Sequence, residues 1–229
     1  FWAVRSEVPP DVLRELSPTA ISLASYDAAE SARGQGADGS YCVLLVVDEG
    51  DPLVIDAAMA VVDAEATARA GSRRLSDDLV EKWMHHRNDT SGLQGLTRKG
   101  YVVDTMEVAA NWGHLDAVVE AVETAMLAIP HARSATCHLS HSYIEGACVY
   151  FTFAANPPAE EFESTYLALW KAGQTSALSS GANLSHHHGV GYSRAAFMEQ
   201  ALGSSLGVLR SVKKALDPRG ILNPGKLGL

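Results

Sequence analysis

The sequence predicts an α+β fold, with helices layered on one face of a mainly antiparallel sheet. Leu115, Val118, Val119, Val122 and Met126 recur at helical spacing, with Asp116, Glu120 and Glu123 off that stripe. Two β-rich runs, Ser134–Tyr143 and Ala147–Ala154, are separated only by Ile144-Glu145-Gly146, a spacing that closes an antiparallel hairpin. A further strand candidate and further helix candidates alternate around these elements.

From the N-terminus, Asp11–Leu16 has a short helical pattern and Ala20–Tyr26 is extended. Gly34, Gly36 and Gly39 mark a loop. Tyr41–Asp48 is apolar and β-rich, a buried strand. Asp51-Pro52 forms an N-cap followed by proline at the first helical position. That helix runs to about Ala70 with Ile55, Met59, Val62 and Ala66 on one stripe, and Gly71 stops it. A second helix spans Asp77–His86, capped by Ser76, while residues 88–98 support no assignment. Gly100–Ala110 is a strand. Pro157–Ala177 is a helix with Glu160 and Glu161 in its first turn and Phe162, Tyr166, Leu169 and Trp170 on its apolar face. A Gly/Ser/His stretch at 179–193 leads to a last helix, Ser204–Leu216, with Leu206, Leu209, Val212 and Leu216 near one face. Asp217-Pro218 ends it.

Composition excludes several classes. The 229 residues are 47% hydrophobic and 20% charged, which is ordinary for a globular chain and unlike collagen, disordered or disulfide-scaffold sequences. Apolar runs are short, as in Val43–Val47, where a membrane-spanning helix needs ~20. The net charge of −9 disfavours nucleic-acid binding. From Gly189 onward, however, six basic residues face two acidic ones, so a phosphate-bearing ligand has a basic segment to meet. Cys42, Cys137 and Cys148 are an odd number, which reads as reduced thiols in a cytoplasmic setting. The chain begins at Phe1 rather than Met and is expected to be part of a longer polypeptide.

Chemistry concentrates in two clusters. Ser185-His186-His187-His188-Gly189-Val190-Gly191 places three imidazoles in a row; in an extended segment His186 and His188 would face one side and His187 the other. Cys137-His138-Leu139-Ser140-His141-Ser142-Tyr143 ends a strand, and alternation puts His141 and Tyr143 on one face with Leu139. A tyrosine beside a suitable neighbour can exchange a proton; the alternative is a core tyrosine and a polar loop with one hydrogen-bonded histidine. C-x-x-C and H-E-x-x-H are absent, so no metal is expected. G-x-G-x-x-G, G-x-x-x-x-G-K-[ST] and G-x-S-x-G are absent too, so no nucleotide cradle is visible.

The segments GANLSHHHGVG (181–191), TCHLSHSYIEGACVYF (136–151), DTMEVAANW (104–112) and LRSVKKALDPRGILNPGKL (209–227) occur in this relation in a known group. The chain resembles the C-terminal part of flavin-linked oxidases of the vanillyl-alcohol oxidase type, and among them is most similar to alkyldihydroxyacetonephosphate synthase. The resemblance implies a ferredoxin-like cap domain over residues 41–178, preceded by a connecting segment (1–40) from an FAD domain not included here. It also implies a His-rich, flavin-proximal C-terminal segment (179–229). FAD is the implied cofactor, held mainly by the other domain, so this region alone is expected to bind it weakly and to be inactive. Tyr143, His187 and His188 take the catalytic positions. His186, His141, Asn223 and Lys226 fall near substrate or flavin.

Two arginines of the synthase pattern are replaced. Leu93 and Gln94 stand where one would fall, and Ser22 follows Pro18-Thr19-Ala20-Ile21 in place of the other. Arg87 and Arg194 are then the candidate anchors for a phosphate- or carboxylate-bearing small molecule. The implied reaction is the flavin-mediated exchange of acyl for alkyl on a dihydroxyacetone-phosphate ester. The alternatives are an FAD-linked 2-hydroxy-acid dehydrogenase or oxidase, and a non-catalytic ferredoxin-like binding module. A homodimer is the assembly open to such a chain, with peripheral membrane attachment the only membrane association.

Overall fold

Alternation along three strands sets the architecture. β1 (Val102–Asn111), β2 (Ala132–Ser142) and β3 (Gly146–Ala155) form one antiparallel sheet in the order β1-β3-β2. Met106 lies opposite Phe151 and Val108 opposite Val149. On the other side of β3, Cys137 also faces Phe151 and Leu139 faces Val149. Successive side chains point to opposite faces, so these residues and Phe153 share one face, and all are buried. The opposite face carries Glu107, His138, Ser140, Cys148 and Tyr150. The computed structural model describes residues 45–47, 50–68, 74–86 and 91–229.

Seven α-helices accompany the sheet among the described residues: α1 (Pro52–Thr67), α2 (Asp78–His86), α3 (Ser91–Arg98), α4 (Leu115–Leu127), α5 (Phe162–Ser179), α6 (Met198–Leu202) and α7 (Ser205–Leu216). α4 turns Leu115, Val118, Val119, Val122 and Met126 inward, as its periodicity requires. α5 adds Leu169, Trp170 and Ala177 to the same core, and the two helices lie side by side on the apolar face. Full burial of side chains such as Phe151 and Leu169 contributes about 1.5–3 kcal/mol each. The chain is thus an α+β domain with helices on one face of an antiparallel sheet.

Several elements depart from expectation. α5 starts at Phe162 rather than Pro157, because the Pro157-Pro158 pair holds the chain extended before a 3-10 turn at Ala159–Glu161. Residues 91–98, left open by the sequence, form α3. Of the expected strand 41–48, Leu45–Val47 is described. It joins no ladder and instead packs on α2, with Leu45 and Trp83 buried beside Val47 and Val80. The described sheet therefore has three strands. α1 begins where the cap requires, the Asp51 carboxylate accepting from the Leu53 N–H at 2.9 Å, and its expected stripe is half-buried. The expected elements at Asp11–Leu16 and Ala20–Tyr26, the glycine loop at Gly34–Gly39 and the helix stop at Gly71 lie outside the described residues.

Beyond α5 the chain runs along the edge of β1 and then builds a small core of its own beside the C-terminal end of α5. Leu184, Met198 and Leu206 are buried there against Leu178, Val190, Phe197 and Leu209. Only the first half of α7 contributes. Val212 and Leu216, expected on its buried stripe, are 48% and 77% exposed, because the helix leaves the small core after Leu209. Asp217 then ends α7, its carboxylate accepting from Ile221 N–H, Leu222 N–H and the Lys213 ammonium. Among the described residues no helix is long and apolar enough to cross a membrane.

Candidate functional site

The sheet face turned away from α4 and α5 is polar, and its centre is a carboxylate. Glu107 sits in the middle of β1 and is wholly buried. Three donors from the 185–188 loop converge on it: the Ser185 hydroxyl at 2.6 Å, the His186 N–H, and the His188 N–H at 3.0 Å. Arg194 lies beside it, with one guanidinium nitrogen 3.5 Å from the carboxylate and another donating to the Gly189 carbonyl at 3.0 Å. The Arg194 guanidinium also stands 5.2 Å over the Trp170 ring. Burial alone would raise the Glu107 pKa; the Ser185, His186 and His188 donors and the Arg194 charge outweigh it and hold the carboxyl below its ordinary range.

The loop is also pinned to the sheet edge. Asn183 exchanges two hydrogen bonds with Ala109 of β1, accepting from its N–H at 2.7 Å and donating its own N–H to the Ala109 carbonyl at 2.9 Å. Through its side-chain oxygen and its backbone N–H together, Asn183 satisfies the edge of β1 as a neighbouring strand would. Between these anchors the triplet bends. It does not run extended, so the expected split of His187 from His186 and His188 does not occur. All three imidazoles turn toward the same pair of tyrosines. Tyr143 Oη is 3.0 Å from His186 Nε2; Tyr150 Oη is 2.6 Å from His187 Nε2 and 3.1 Å from His188 Nε2; and His186 Nδ1 is 2.8 Å from His187 Nδ1.

A bulge in β2 corrects a second expectation. Pairing slips between Ser140 and Ser142, and His141 takes a positive φ of 51°. The slip moves His141 and Tyr143 off the Leu139 face and onto the polar one. There the His141 ring lies 5.3 Å from that of His186 and 5.0 Å from that of His187, and its Nδ1 meets the Ser140 hydroxyl at 2.7 Å. His138 is buried and stacks flat on Tyr150 with ring centres 5.0 Å apart.

The hairpin that presents Tyr143 is fixed by Trp112, whose indole N–H points at the Tyr143 and Ile144 carbonyls at 3.0 and 3.1 Å. It also needs a glycine. A Cβ on Gly146 would stand 2.1 Å from the Ala110 carbonyl oxygen, which is backbone and cannot swing aside. Gly146→Ala is therefore expected to destabilise the fold by about 1–3 kcal/mol. A thermal melt would read this as a drop of about 2–4 °C per kcal/mol; an unchanged melt would show that the two backbones do not meet this closely.

Burial governs the remaining ionisation states. The Cys148 thiol is pushed up to about 12 by burial and by Glu107. Tyr150 is also pushed up to about 12, by burial, Cys148 and Glu107 against the pull of Arg194. His138 is pushed down to about 3 by burial and by His141. His141 is lowered by burial and by His187 and His186, and His188 is lowered by burial despite the attraction of Glu107. At neutral pH Cys148, Tyr150, His138, His141 and His188 are thus uncharged, gathered around one anion that is already paired. His141, Cys148, His186 and His187 also bring one potential ligand atom each within 4.8 Å of one another, a grouping that could close on a soft cation if the Cys148 thiol lost its proton.

Of the site residues expected from sequence, Tyr143, His141, His186, His187 and His188 come together here. Arg194 lies beneath them, its charge turned inward to Glu107. Asn223 and Lys226 fall in the turn before the C-terminus, where the Lys226 ammonium stands 3.5 Å over the Tyr192 ring and Asn223 has a positive φ of 46°. That turn leans on the segment after the triplet through Leu227 N–H to the Gly191 carbonyl at 3.3 Å. Arg87 lies outside the described residues. Glu107, Tyr150 and Asn183 were not foreseen.

Residues 3–227 match the family described as FAD linked oxidases, C-terminal domain. The chain belongs to this family. Among its relatives is the FAD-linked oxidoreductase YgcU of Escherichia coli (strain K12), 30% identical over 222 residues, covering 88% of this chain and 45% of the relative. The alkyldihydroxyacetonephosphate synthase of Trypanosoma brucei brucei is 40% identical over 92 residues, covering 40% of this chain and 15% of that protein. A solved structure of alkyldihydroxyacetonephosphate synthase shares the fold, with a TM-score of 0.54 and 17% identity over 93% of this chain and 40% of that one. The chain spans less than half the length of these relatives.

Proposed function

We propose that this chain is the substrate-facing cap and C-terminal part of an FAD-dependent enzyme, in which Tyr143 exchanges a proton with the substrate and the three histidines set where that proton sits. The observation that carries this reading is the 3.0 Å contact between Tyr143 Oη and His186 Nε2 on an open face, with Tyr143 itself 53% exposed. A phenol beside an imidazole can give or take a proton at moderate cost.

The donor set suits FAD. The exposed rim of the site includes Tyr143, His187 and His188, whose polar edges would meet the carbonyl and nitrogen edges of a flat ring better than an apolar wall would. FAD, when bound, supplies the electron-accepting ring on which the family's chemistry depends. Tyr143, His187 and His188 would lie along that ring while other polypeptide held the rest of the cofactor. The Glu107–Arg194 pair keeps the loop rigid, so the phenol and imidazoles need not reorganise as a proton moves.

Likeness to the synthase favours a small phosphate-bearing substrate, and specifically the exchange of acyl for alkyl on a dihydroxyacetone-phosphate ester. The test gives the full-length flavoprotein a long-chain acyl dihydroxyacetone-phosphate and a long-chain alcohol, and measures the alkyl product. Product formation without net flavin reduction is expected. Flavin bleaching by a 2-hydroxy acid, with no alkyl product, would replace this reading with the dehydrogenase one.

A further inference from the structure

We propose that Tyr150 joins the three histidines into a proton wire that runs from Tyr143 to the His188–Glu107 pair. The contacts follow one another without a break. Tyr143 Oη meets His186 Nε2 at 3.0 Å, and the other nitrogen of that ring, Nδ1, meets His187 Nδ1 at 2.8 Å. His187 Nε2 meets Tyr150 Oη at 2.6 Å, and Tyr150 Oη meets His188 Nε2 at 3.1 Å. His188 Nδ1 ends the path 3.5 Å from the Glu107 carboxylate.

Every internal member has what a relay requires. A neutral imidazole donates from one nitrogen and accepts on the other, and a phenol oxygen does both at once. Here each ring is entered through one nitrogen and left through the other. The Nδ1-to-Nδ1 contact is informative, because two neutral rings can make it only if one donates and the other accepts. Fixing either tautomer therefore fixes its neighbour.

The transfer balances. In the starting state Tyr143 O–H donates to His186, His186 Nδ1–H to His187, His187 Nε2–H to Tyr150, and Tyr150 O–H to His188, whose proton is on Nδ1. When Tyr143 Oη takes a proton from substrate, its own proton passes to His186 and each member hands one on. His188 gains Nε2–H and becomes an imidazolium beside Glu107. Tyr143, His186, His187 and Tyr150 are neutral before and after. Return of the proton to substrate reverses each step.

The surroundings favour hand-on over charge storage midway. His141 and Cys148 face the His186–His187 junction from β2 and β3, His138 stacks on Tyr150, and Arg194 flanks Glu107. Of these only Arg194 is cationic at neutral pH, and it is already paired. The negative charge of Glu107 lies at the His188 end, and the His188 side chain is 42% exposed, so the proton can be exchanged with water there.

The wire rests on Tyr143 being the site's acid/base, but its test does not need turnover. In the full-length protein labelled with 15N-histidine, nitrogen NMR reads which ring nitrogen of each imidazole carries the proton. Tyr150→Phe keeps the ring against His138 and removes one link. His188→Gln keeps a polar end group that cannot carry the proton. Both are expected to change the protonation pattern of His186, which touches neither residue. If His186 is unchanged in both variants while only adjoining rings respond, the contacts are independent and the wire is wrong. Stoichiometric metal bound to the His186 or His187 ring in the wild-type protein would overturn it as well. Should Tyr150→Phe fail to fold, His188→Gln decides the matter alone. Unchanged turnover in Tyr143→Phe would remove the acid/base reading while leaving these spectra as they are.

Discussion

Tyr143→Phe in the full-length flavoprotein is expected to lower turnover by about 10²–10⁴-fold, the usual worth of a positioned acid or base. Flavin content, read from its absorbance, should be unchanged. The substitution removes one oxygen and leaves the ring, so the hairpin stays held by Trp112 and Gly146. The hydroxyl is not needed for packing: Tyr143 is half exposed, and among the described residues its side chain hydrogen-bonds to His186. A loss confined to the maximal rate, with substrate affinity near normal, is the signature of an interaction made in the transition state. His186→Ala should cost less than Tyr143→Phe, since the phenol can still exchange its proton with water. Turnover within a few-fold of wild type in Tyr143→Phe would remove this residue from the chemistry and shift attention to Tyr150.

Much of the fold was legible because burial on one face writes a period into the sequence. The stripe of α4 and the hairpin spacing at 144–146 each reflect a single dominant force, and both survive in the structure. The site was legible as composition, not as geometry. Three adjacent histidines announce chemistry, but alternation assumes an extended chain, and the buried carboxylate bends this one. The bulge at His141 is a similar case: one extra residue reverses the face of everything after it, and no local propensity marks it. Glu107 had a usable signal. It is the lone acid in the run Met106–Ala110, and a charge in the middle of an apolar strand must have partners. Tyr150 had one too, since it shares strand parity with Cys148 and pairs across to His138. Asn183 had none, because its role depends on an open strand edge that only the folded sheet defines.

Glu107 should be the most damaging position to alter for stability. Glu107→Ala leaves Arg194 as a buried cation without its partner and strips acceptors from the Ser185 hydroxyl and the His186 and His188 N–H groups. Removing one member of such a pair costs about 3–5 kcal/mol, because the remaining charge has been taken out of water. Glu107→Gln should cost less. It keeps the shape and one good acceptor, but its NH₂ group now faces donors. Glu107→Gln combined with Arg194→Met should recover part of the loss, since no unpaired charge remains. Denaturant midpoints of the three variants test this order, and a double variant less stable than Glu107→Gln would show that the pair is not the main term.

The same carboxylate sets an acid limit. Its folded-state pKa lies below the ordinary 4.5, so its contribution is complete above that value and is lost as pH falls below it. His138 acts earlier. Its pKa falls from an ordinary 6.5 to about 3 on folding, so the unfolded chain gains a proton the native site refuses once pH drops below about 6.5. Stability should therefore decline first from about pH 6.5 and more steeply below about pH 4.5. In Glu107→Gln the decline beginning near 6.5 should remain, while the steeper part should shrink. A steeper part of unchanged size would place the acid-sensitive group elsewhere.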